Sequence, residues 1–461
     1  MDRPARQGDH SGTNGAEEVA RIRGESRMRL TNGLRQRALD GNPIGVGLIG
    51  CGKFATMFLA QAARTPGIAI RAIADLRPEA ARATVERSTA LDANAIRFVD
   101  DAASVVHDDG VELVIEATGD AVQGALHALA AIEARRHILM VNVEADVLVG
   151  PALAKRARHR GVVYSLAYGD QPALVVELVD WAHASGFEIV AAGKGTKHQP
   201  HYRLSTPETV WDHYGLSAER AAAAGMNPKM FNSFLDGTKS AIEMAAIANA
   251  TDLEVPPDGL LFPPASTRDL ATVLGRRAEK AGTSGQGIVE TVSCLDDEGR
   301  PVPDDLRWGV YVVFKGASDY VAGCFRDYGL VTDASGLCAA LWRPCHLIGL
   351  ELGISVADMV LRGEPTGAPW RWTGDVAATA KRDLEAGETL DGEGGFTVYG
   401  RLVSAAAAAA EGLLPIGLAH RARLRRKVAQ DQMLTLDDVE LDRGTLAFEL
   451  RLEMLKEMVP A

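Results

Sequence analysis

The sequence predicts an α/β protein: a doubly wound parallel sheet, then an α+β domain, then a small β-rich module. Three observations carry that prediction. From Asn42 to about residue 166, short Val/Ile-rich runs alternate with alanine-rich stretches of helical periodicity. From roughly 170 to 360 the alternation gives way to a mixed pattern. Beyond a Pro/Gly/Trp-rich stretch near 365–375, strand–turn units take over. At 461 residues the chain exceeds one ordinary core, so two or three domains are expected.

Taken in order, residues 1–41 read as a charged, mobile tail with a lead-in helix, lacking the apolar stretch of a secretory signal. Met28 is a second candidate start, which the intact mass of the native protein decides. In residues 42–168, "IGVGLIG", "IAIRAIAD", "VELVIEATG", "HILMVNVE" and "VVYSLAYG" each have the length and β-branched content of a buried parallel strand. "TMFLAQAART" and "AVQGALHALAAIEARR" between them are helical. Strict alternation implies right-handed crossovers and ligand binding at the carboxyl ends of the strands. Residues 169–365 hold a long helix, "GTKSAIEMAAIANAT", and strands "GIVETVSCL" and "WGVYVVF". "EPTGAPWRWTGD" reads as a linker into the module at 366–461. There "KRDLEAGETL" (381–390) and "RRKVAQDQML" (425–434) echo each other as two strand–turn units, and the alanine run at 405–410 reads as a local helix or spacer.

Bulk chemistry narrows the function. The composition, 47% apolar and 24% charged, is that of a soluble globular chain. A net charge of −12 argues against general nucleic-acid binding, and no apolar run is long enough for a membrane span. Five scattered cysteines without CxxC spacing argue against a zinc site or a disulfide framework and suit the cytoplasm.

The glycine turn after the first strand, Gly50-Cys51-Gly52-Lys53-Phe54-Ala55, fits GxGxxA. Gly50 permits the turn, Gly52 lets a pyrophosphate approach the backbone, and Ala55 lets the helix pack closely. About twenty residues on, Asp75 closes the second strand, where a carboxylate accepts hydrogen bonds from ribose hydroxyls. This context predicts a Rossmann domain that binds NAD or NADP. Asp75 favours NAD, while Arg77, two residues later, is placed to pair with a 2′-phosphate. Thr118 and Gly119 in "EATGD", and Asn142 and Glu144 in "MVNVEAD", lie at later strand ends, where they contact the nicotinamide or substrate or else cap helices.

Hydride transfer at a carbon bearing oxygen needs a proton donor or acceptor at that oxygen. Lys194, in "AAGKGTKHQPHY", sits between two glycines that keep side chains away from it. Lys239 and Glu243 are four apart on one face of a helix too apolar to be exposed, and buried charges need partners or work. Asp236 caps that helix or joins the site. Arg343 and His346, in "LWRPCHLIGLELG", are candidates to grip an anion and relay a proton. Asp170 either binds substrate or a cation or caps the helix that follows. Asp170, Glu144 and Glu243 together offer oxygen ligands for Mg²⁺ or Mn²⁺, although no compact metal motif is present.

Several stretches together resemble the homoserine-dehydrogenase-like oxidoreductases that carry a carboxy-terminal SAF (β-clip) module, in particular the 1-deoxy-D-xylulose-5-phosphate reductoisomerase-like family. They are "MVNVEADVLVGP", "GVVYSLAYGDQPA", "AAGKG", "DGTKSAIEMAAIANAT" and "RPCHLIGLE". The resemblance implies NAD(P)H-dependent reduction, a catalytic domain that also carries dimer contacts, hence a homodimer or homotetramer, and a module that closes over the site or mediates assembly. It implies a small phosphorylated or carboxylated keto or hydroxy substrate, with plain dehydrogenation of a hydroxy acid or sugar-derived aldehyde, or a cofactor-binding sensor, as the alternatives. Two departures stand out. Asp75-Leu76-Arg77 replaces the basic or small residues of NADPH users, and Lys239 precedes Glu243 where ordinary homoserine dehydrogenases place the acid first. The segment between Lys194 and Lys239, rich in His, Tyr and Trp, reads as a substrate lid.

Overall fold

The computed structural model describes residues 29–223 and 225–458. The expected tail and the alternative start at Met28 therefore lie outside the described residues, while the lead-in helix is present at Leu30–Leu39. Six parallel strands follow in the order β3-β2-β1-β4-β5-β6. They are β1 (Ile44–Ile49), β2 (Ile68–Ala74), β3 (Arg97–Val99), β4 (Leu113–Glu116), β5 (His137–Met140) and β6 (Tyr164–Leu166). Every residue of β1 and β4 is buried, which is why these strands read as continuous apolar runs rather than alternating ones. The order reverses between β1 and β4, so the ligand crevice opens at their carboxyl ends. β3 escapes a sequence reading because its three residues are too short to show a period.

The second domain is a mixed five-stranded sheet ordered β10-β11-β9-β7-β8. Its strands are β7 (Glu188–Thr196), β8 (Ile288–Ser293), β9 (Val310–Lys315), β10 (Val331–Thr332) and β11 (Cys338–Arg343). β7 and β8 run parallel and the remaining pairs antiparallel. The predicted long helix spans Thr238–Ala250 and is buried almost all round. A helix apolar on every side belongs inside a protein. This one packs on the Val143–Arg160 helix of the nucleotide domain, on β8, and on β12 (Gly374–Ala380) and β13 (Val398–Ser404) of the carboxy-terminal module.

That module pairs β12 with β13, and β14 (Arg423–Leu424) with β15 (Val439–Glu440). The two echoing segments meet each other: Leu384 and Val428, the fourth residue of each, exchange backbone hydrogen bonds of 2.9 and 3.0 Å. The alanine run forms a helix over Ala405–Glu411. The stretch read as a linker is instead a fitted strap. Leu166 N–H donates to Gly367 O at 2.7 Å, Thr366 N–H to Ser165 Oγ at 3.0 Å, and Trp372 is buried. Glycine and proline serve close packing here as readily as flexibility. One continuous apolar core then runs from β4 through the central helix into the module.

The Val143–Arg160 helix carries a buried acid, Asp146, whose Oδ1 accepts from Tyr164 Oη at 2.7 Å while its Oδ2 has no partner. Burial pushes Asp146 up to about 7, against the opposing pull of the tyrosine bond. A folded value above the unfolded one means the native state binds the extra proton, so stability falls as pH rises from about 4 to about 7. Asp146→Asn removes that loss. It is expected to stabilise the protein by about 2 kcal/mol at pH near 8 and by little near pH 5. Urea denaturation at both pH values checks this, and equal effects at the two would sink it.

Candidate active site

The glycine turn has the geometry that its spacing predicts. Gly50 has φ +91°, and a Cβ there would meet Ala117 O at 2.8 Å. Gly52 is the N-cap of the Lys53–Ala62 helix without a side-chain cap, and nothing lies within 4 Å of where its Cβ would be. Open space in front of uncapped N–H groups fits a pyrophosphate. Ala55 is buried against the sheet, whereas Lys53 is exposed and Phe54 half-buried at the rim. Asp75 accepts from Cys51 N–H and Arg77 N–H, each at 2.9 Å, which braces the turn and fixes the carboxylate at the end of β2. Arg77 is exposed beside it. This arrangement fits the adenosine half of a dinucleotide.

Gly52→Val tests the fit, because the open space leaves the fold untouched while the added methyls occupy the phosphate position. The melting temperature is expected to hold, and NAD(H) affinity to drop by roughly tenfold or more, as for the loss of at least one charge-assisted hydrogen bond. Unchanged affinity in a calorimetric titration would place the cofactor elsewhere.

At the next strand ends, Thr118 Oγ1 donates to buried Glu116 at 2.5 Å, and Gly119 is open, with φ +75°. Asn142 accepts from Ala145 N–H at 3.0 Å and donates to Asp120 O at 2.9 Å. Of the two roles open to Asn142, capping is the one it performs, since both ends of its amide are used. Glu144 does not cap. It lies in the first turn of its helix and takes the Lys239 ammonium at 2.5 Å.

The three residues proposed for proton transfer converge, though not as neighbours on one helix would suggest. Lys239 and Glu243 do not pair with each other: Lys239 reaches Glu144 across the domain boundary, and Glu243 takes Lys194. Lys194 also donates to Gln171 Oε1 at 3.2 Å. It lies on β7 rather than in a loop, and its flanking glycines have another purpose than clearing space around it. A Cβ on Gly193 would strike Glu290 O and one on Gly195 would strike Leu306 O, so both admit neighbouring backbone. Asp236 N-terminally braces the central helix, accepting from Thr238 N–H at 2.9 Å, and pairs with Lys381 of the module at 2.7 Å.

The electrostatics set the roles. Lys194 and Glu243 are 6% and 4% exposed, Lys239 and Glu144 15% and 14%, so the second pair faces the opening. Burial works against the Lys239 ammonium, but Glu144, Glu243, Glu393 and Asp170 outweigh it and raise its pKa. Burial and the Glu243 charge push Asp170 up to about 6, with Lys239 and His346 pulling the other way. Asp170 also accepts from Gln171 N–H at 2.8 Å at the start of its helix, so it caps and faces the cluster at once. His346 donates through Nδ1 to Trp308 O at 2.7 Å, since a carbonyl only accepts, and keeps Nε2 on its other edge. Arg343 is bound to Glu351 and is not the free anion anchor expected of it. The cation set does not form either: Glu144 and Glu243 are spent on lysines, and among the described residues no three His, Cys, Asp or Glu side chains group to hold a metal.

Two contributors went unread in the sequence. Gln171 steadies Lys194, and Glu393, in "DGEGG" of the module, faces Lys239 and Glu144. The glycines around Glu393 are the signal that was available, the same pattern that drew attention to Lys194. A cavity of about 630 Å³ opens beside the cluster, walled by Thr118–Gln123 and Glu144 on the nucleotide side and by Asp391, Glu393 and Pro415–Ala422 on the module side.

Residues 44–144 match the GFO/IDH/MocA model, described as "Oxidoreductase family, NAD-binding Rossmann fold", and residues 169–352 match "Oxidoreductase DRL, catalytic domain". No curated protein matches the chain. Among solved structures, the K102A mutant of KijD10, a 3-ketoreductase from Actinomadura kijaniata in complex with TDP-benzene and NADP, is 25% identical over 34% of this chain and 50% of its own, with a TM-score of 0.26. Myo-inositol dehydrogenase from Lactobacillus casei, in complex with NAD(H) and myo-inositol, is 19% identical over 37% and 52%, with a TM-score of 0.27. A probable dehydrogenase from Thermotoga maritima is 12% identical over 70% and 90%, with a TM-score of 0.36. The chain spans about half the length of the first two. No helix among the described residues is long and apolar enough to cross a membrane. The chain is therefore similar to oxidoreductases over two segments, an NAD-binding Rossmann domain of GFO/IDH/MocA type at 44–144 and a DRL catalytic domain at 169–352.

Proposed function

We propose that the chain moves hydride between a nicotinamide and the oxygen-bearing carbon of a small keto or hydroxy substrate, with Lys239 holding the proton for the substrate oxygen. One observation carries the reading. The Lys239–Glu144 pair joins the catalytic helix to the carboxyl rim of the nucleotide sheet beside the open cavity. The cofactor supplies the hydride when bound; the chain's own residues orient the substrate and handle the proton. The Lys239 ammonium donates to the substrate oxygen, Glu144 and Glu243 hold that ammonium in place, and His346 Nε2 accepts from a substrate hydroxyl. NAD is the preferred cofactor, because the Asp75 carboxylate is fixed where the adenosine ribose arrives and repels a 2′-phosphate.

For the substrate, the matched DRL catalytic domain and the resemblance above support a reductoisomerase-like reaction on 1-deoxy-D-xylulose 5-phosphate. A second reading, dehydrogenation of a neutral polyol or sugar, is favoured by charge. Four carboxylates surround Lys239, and Arg343 is neutralised by Glu351. Hydroxyl groups suit such a site better than a phosphate. Absorbance at 340 nm with NADH and NADPH tests both, using 1-deoxy-D-xylulose 5-phosphate against a panel of polyols, sugars and keto acids. Turnover of the first alone supports the reductoisomerase reading, and turnover of the neutral compounds alone supports the second. Silence across the panel with both cofactors would sink the assignment.

A further inference from the structure

We propose that Glu393, supplied by the carboxy-terminal module, is a positioning residue of the active site: it lines the same cavity as Glu144, the acid that holds Lys239, and helps keep the lysine's proton in place. The inference rests on the function proposed above. It stands on three features of the structure. First, Glu393 and Glu144 line the same cavity from opposite domains, and both act on the Lys239 charge. Second, the Glu393 loop is locked in place. Gly394 has φ +64°, and a Cβ on it would meet Lys229 O at 2.0 Å. Gly394 O accepts from Asn232 Nδ2 at 3.0 Å, and Gly395 O from Lys381 Nζ at 2.8 Å. A loop held this closely against the Pro228–Leu235 helix presents Glu393 in a fixed direction. Third, the acid has no lysine of its own. Lys229, its near neighbour, donates to Asp391 O at 3.0 Å, and Lys381 is spent on Asp236 at 2.7 Å.

The charged groups around Glu393 are Glu144 and Lys239 across the cavity, Asp236 behind it, and Lys229 and Asp391 beside it, with the Ser233 hydroxyl in contact. Burial and the facing Glu144 push Glu393 up to about 8, while Lys239 and Ser233 pull it down. Below that value the carboxyl is neutral, and Glu144 holds the ammonium alone. Above it Glu393 becomes a second anion on the lysine, and the Lys239 proton is retained into the alkaline range.

The test is competitive acetylation of the intact protein with acetic anhydride, read at Lys239 by peptide mass spectrometry, with the exposed Lys280 as internal reference. Wild type, Glu393→Gln and Glu393→Asp are compared well below and well above pH 8. Labelling is expected to coincide at the lower pH. At the higher pH Glu393→Gln should label roughly tenfold faster at Lys239, the effect of about one pKa unit, and Glu393→Asp should follow wild type. In turnover, wild type is expected to break near pH 8 and Glu393→Gln to lose that break, with its melting temperature unchanged. Equal Lys239 labelling in wild type and Glu393→Gln at every pH would overturn the proposal. Silence of the wild type on every substrate, with the tenfold labelling difference retained, would overturn the assigned reaction and leave the Glu393–Lys239 coupling standing.

Discussion

Lys239→Ala is expected to lower turnover by roughly 10²- to 10⁴-fold, the usual worth of a positioned proton donor, while NAD(H) binding stays as in wild type. The separation follows from position. The lysine projects from the central helix to Glu144, whereas the Gly50–Ala55 turn proposed for the pyrophosphate lies outside the residues that wall the cavity. Lys239→Arg should rescue poorly. A guanidinium satisfies Glu144 but presents its N–H groups in a planar fork, so it does not place a donor where the compact ammonium does. Lys194→Ala differs in kind, because its partner Glu243 is 4% exposed and would be left as an uncompensated buried charge. That variant should lose thermal stability together with activity, whereas Lys239→Ala should keep most of its stability. Stopped-flow nicotinamide binding, steady-state turnover and thermal melts separate the two lysines. Full turnover in Lys239→Ala would remove the lysine from the chemistry and reopen the non-catalytic sensor reading.

What was legible in the sequence, and what was not, follows from the range of the interactions. Strand–helix alternation and the glycine turn are local, and a strand buried on both faces declares itself as a continuous apolar run. Lys239 and Glu243 stood out for the same reason, as charges in an otherwise apolar helix. Their partners were not legible. Glu144 is 95 residues from Lys239 and Lys194 is 49 from Glu243, so same-face spacing drew attention to both residues without giving their pairing. Arg343 was a candidate anion anchor in the sequence, and its ion pair with Glu351, eight residues on, was not legible there. Composition also failed at the 364–375 strap, since glycine, proline and tryptophan describe a loose linker and a close-fitted one equally well. Only the bonds to Ser165 and Leu166 decide between them. Glu393 sat unnoticed in "DGEGG", a run that reads as an ordinary turn until the module folds back on the catalytic helix.

That return depends on one buried lysine. Lys381 donates to Asp236 at 2.7 Å, to Ser205 O at 2.7 Å and to Gly395 O at 2.8 Å, with 2% of its side chain exposed and none of Asp236's. It therefore ties together the residue that starts the central helix, the segment read as a lid, and the loop carrying Glu393. Breaking a buried pair costs far more than the pair contributes net, because the remaining charge has no water to turn to. Lys381→Met is expected to lose about 3–5 kcal/mol of stability, and the loss should shrink when Asp236→Asn is added, since the double variant buries no unpaired charge. Denaturant titrations of the single and double variants form the cycle that isolates the coupling. Because Asp236 also accepts from Thr238 N–H, the single variant should disturb the first turn of the helix that bears Lys239 and so lower turnover in whatever fraction remains folded. Loss of stability with turnover per folded molecule unchanged would mean that the module is an appendage, and that the active site is complete in the first two domains alone.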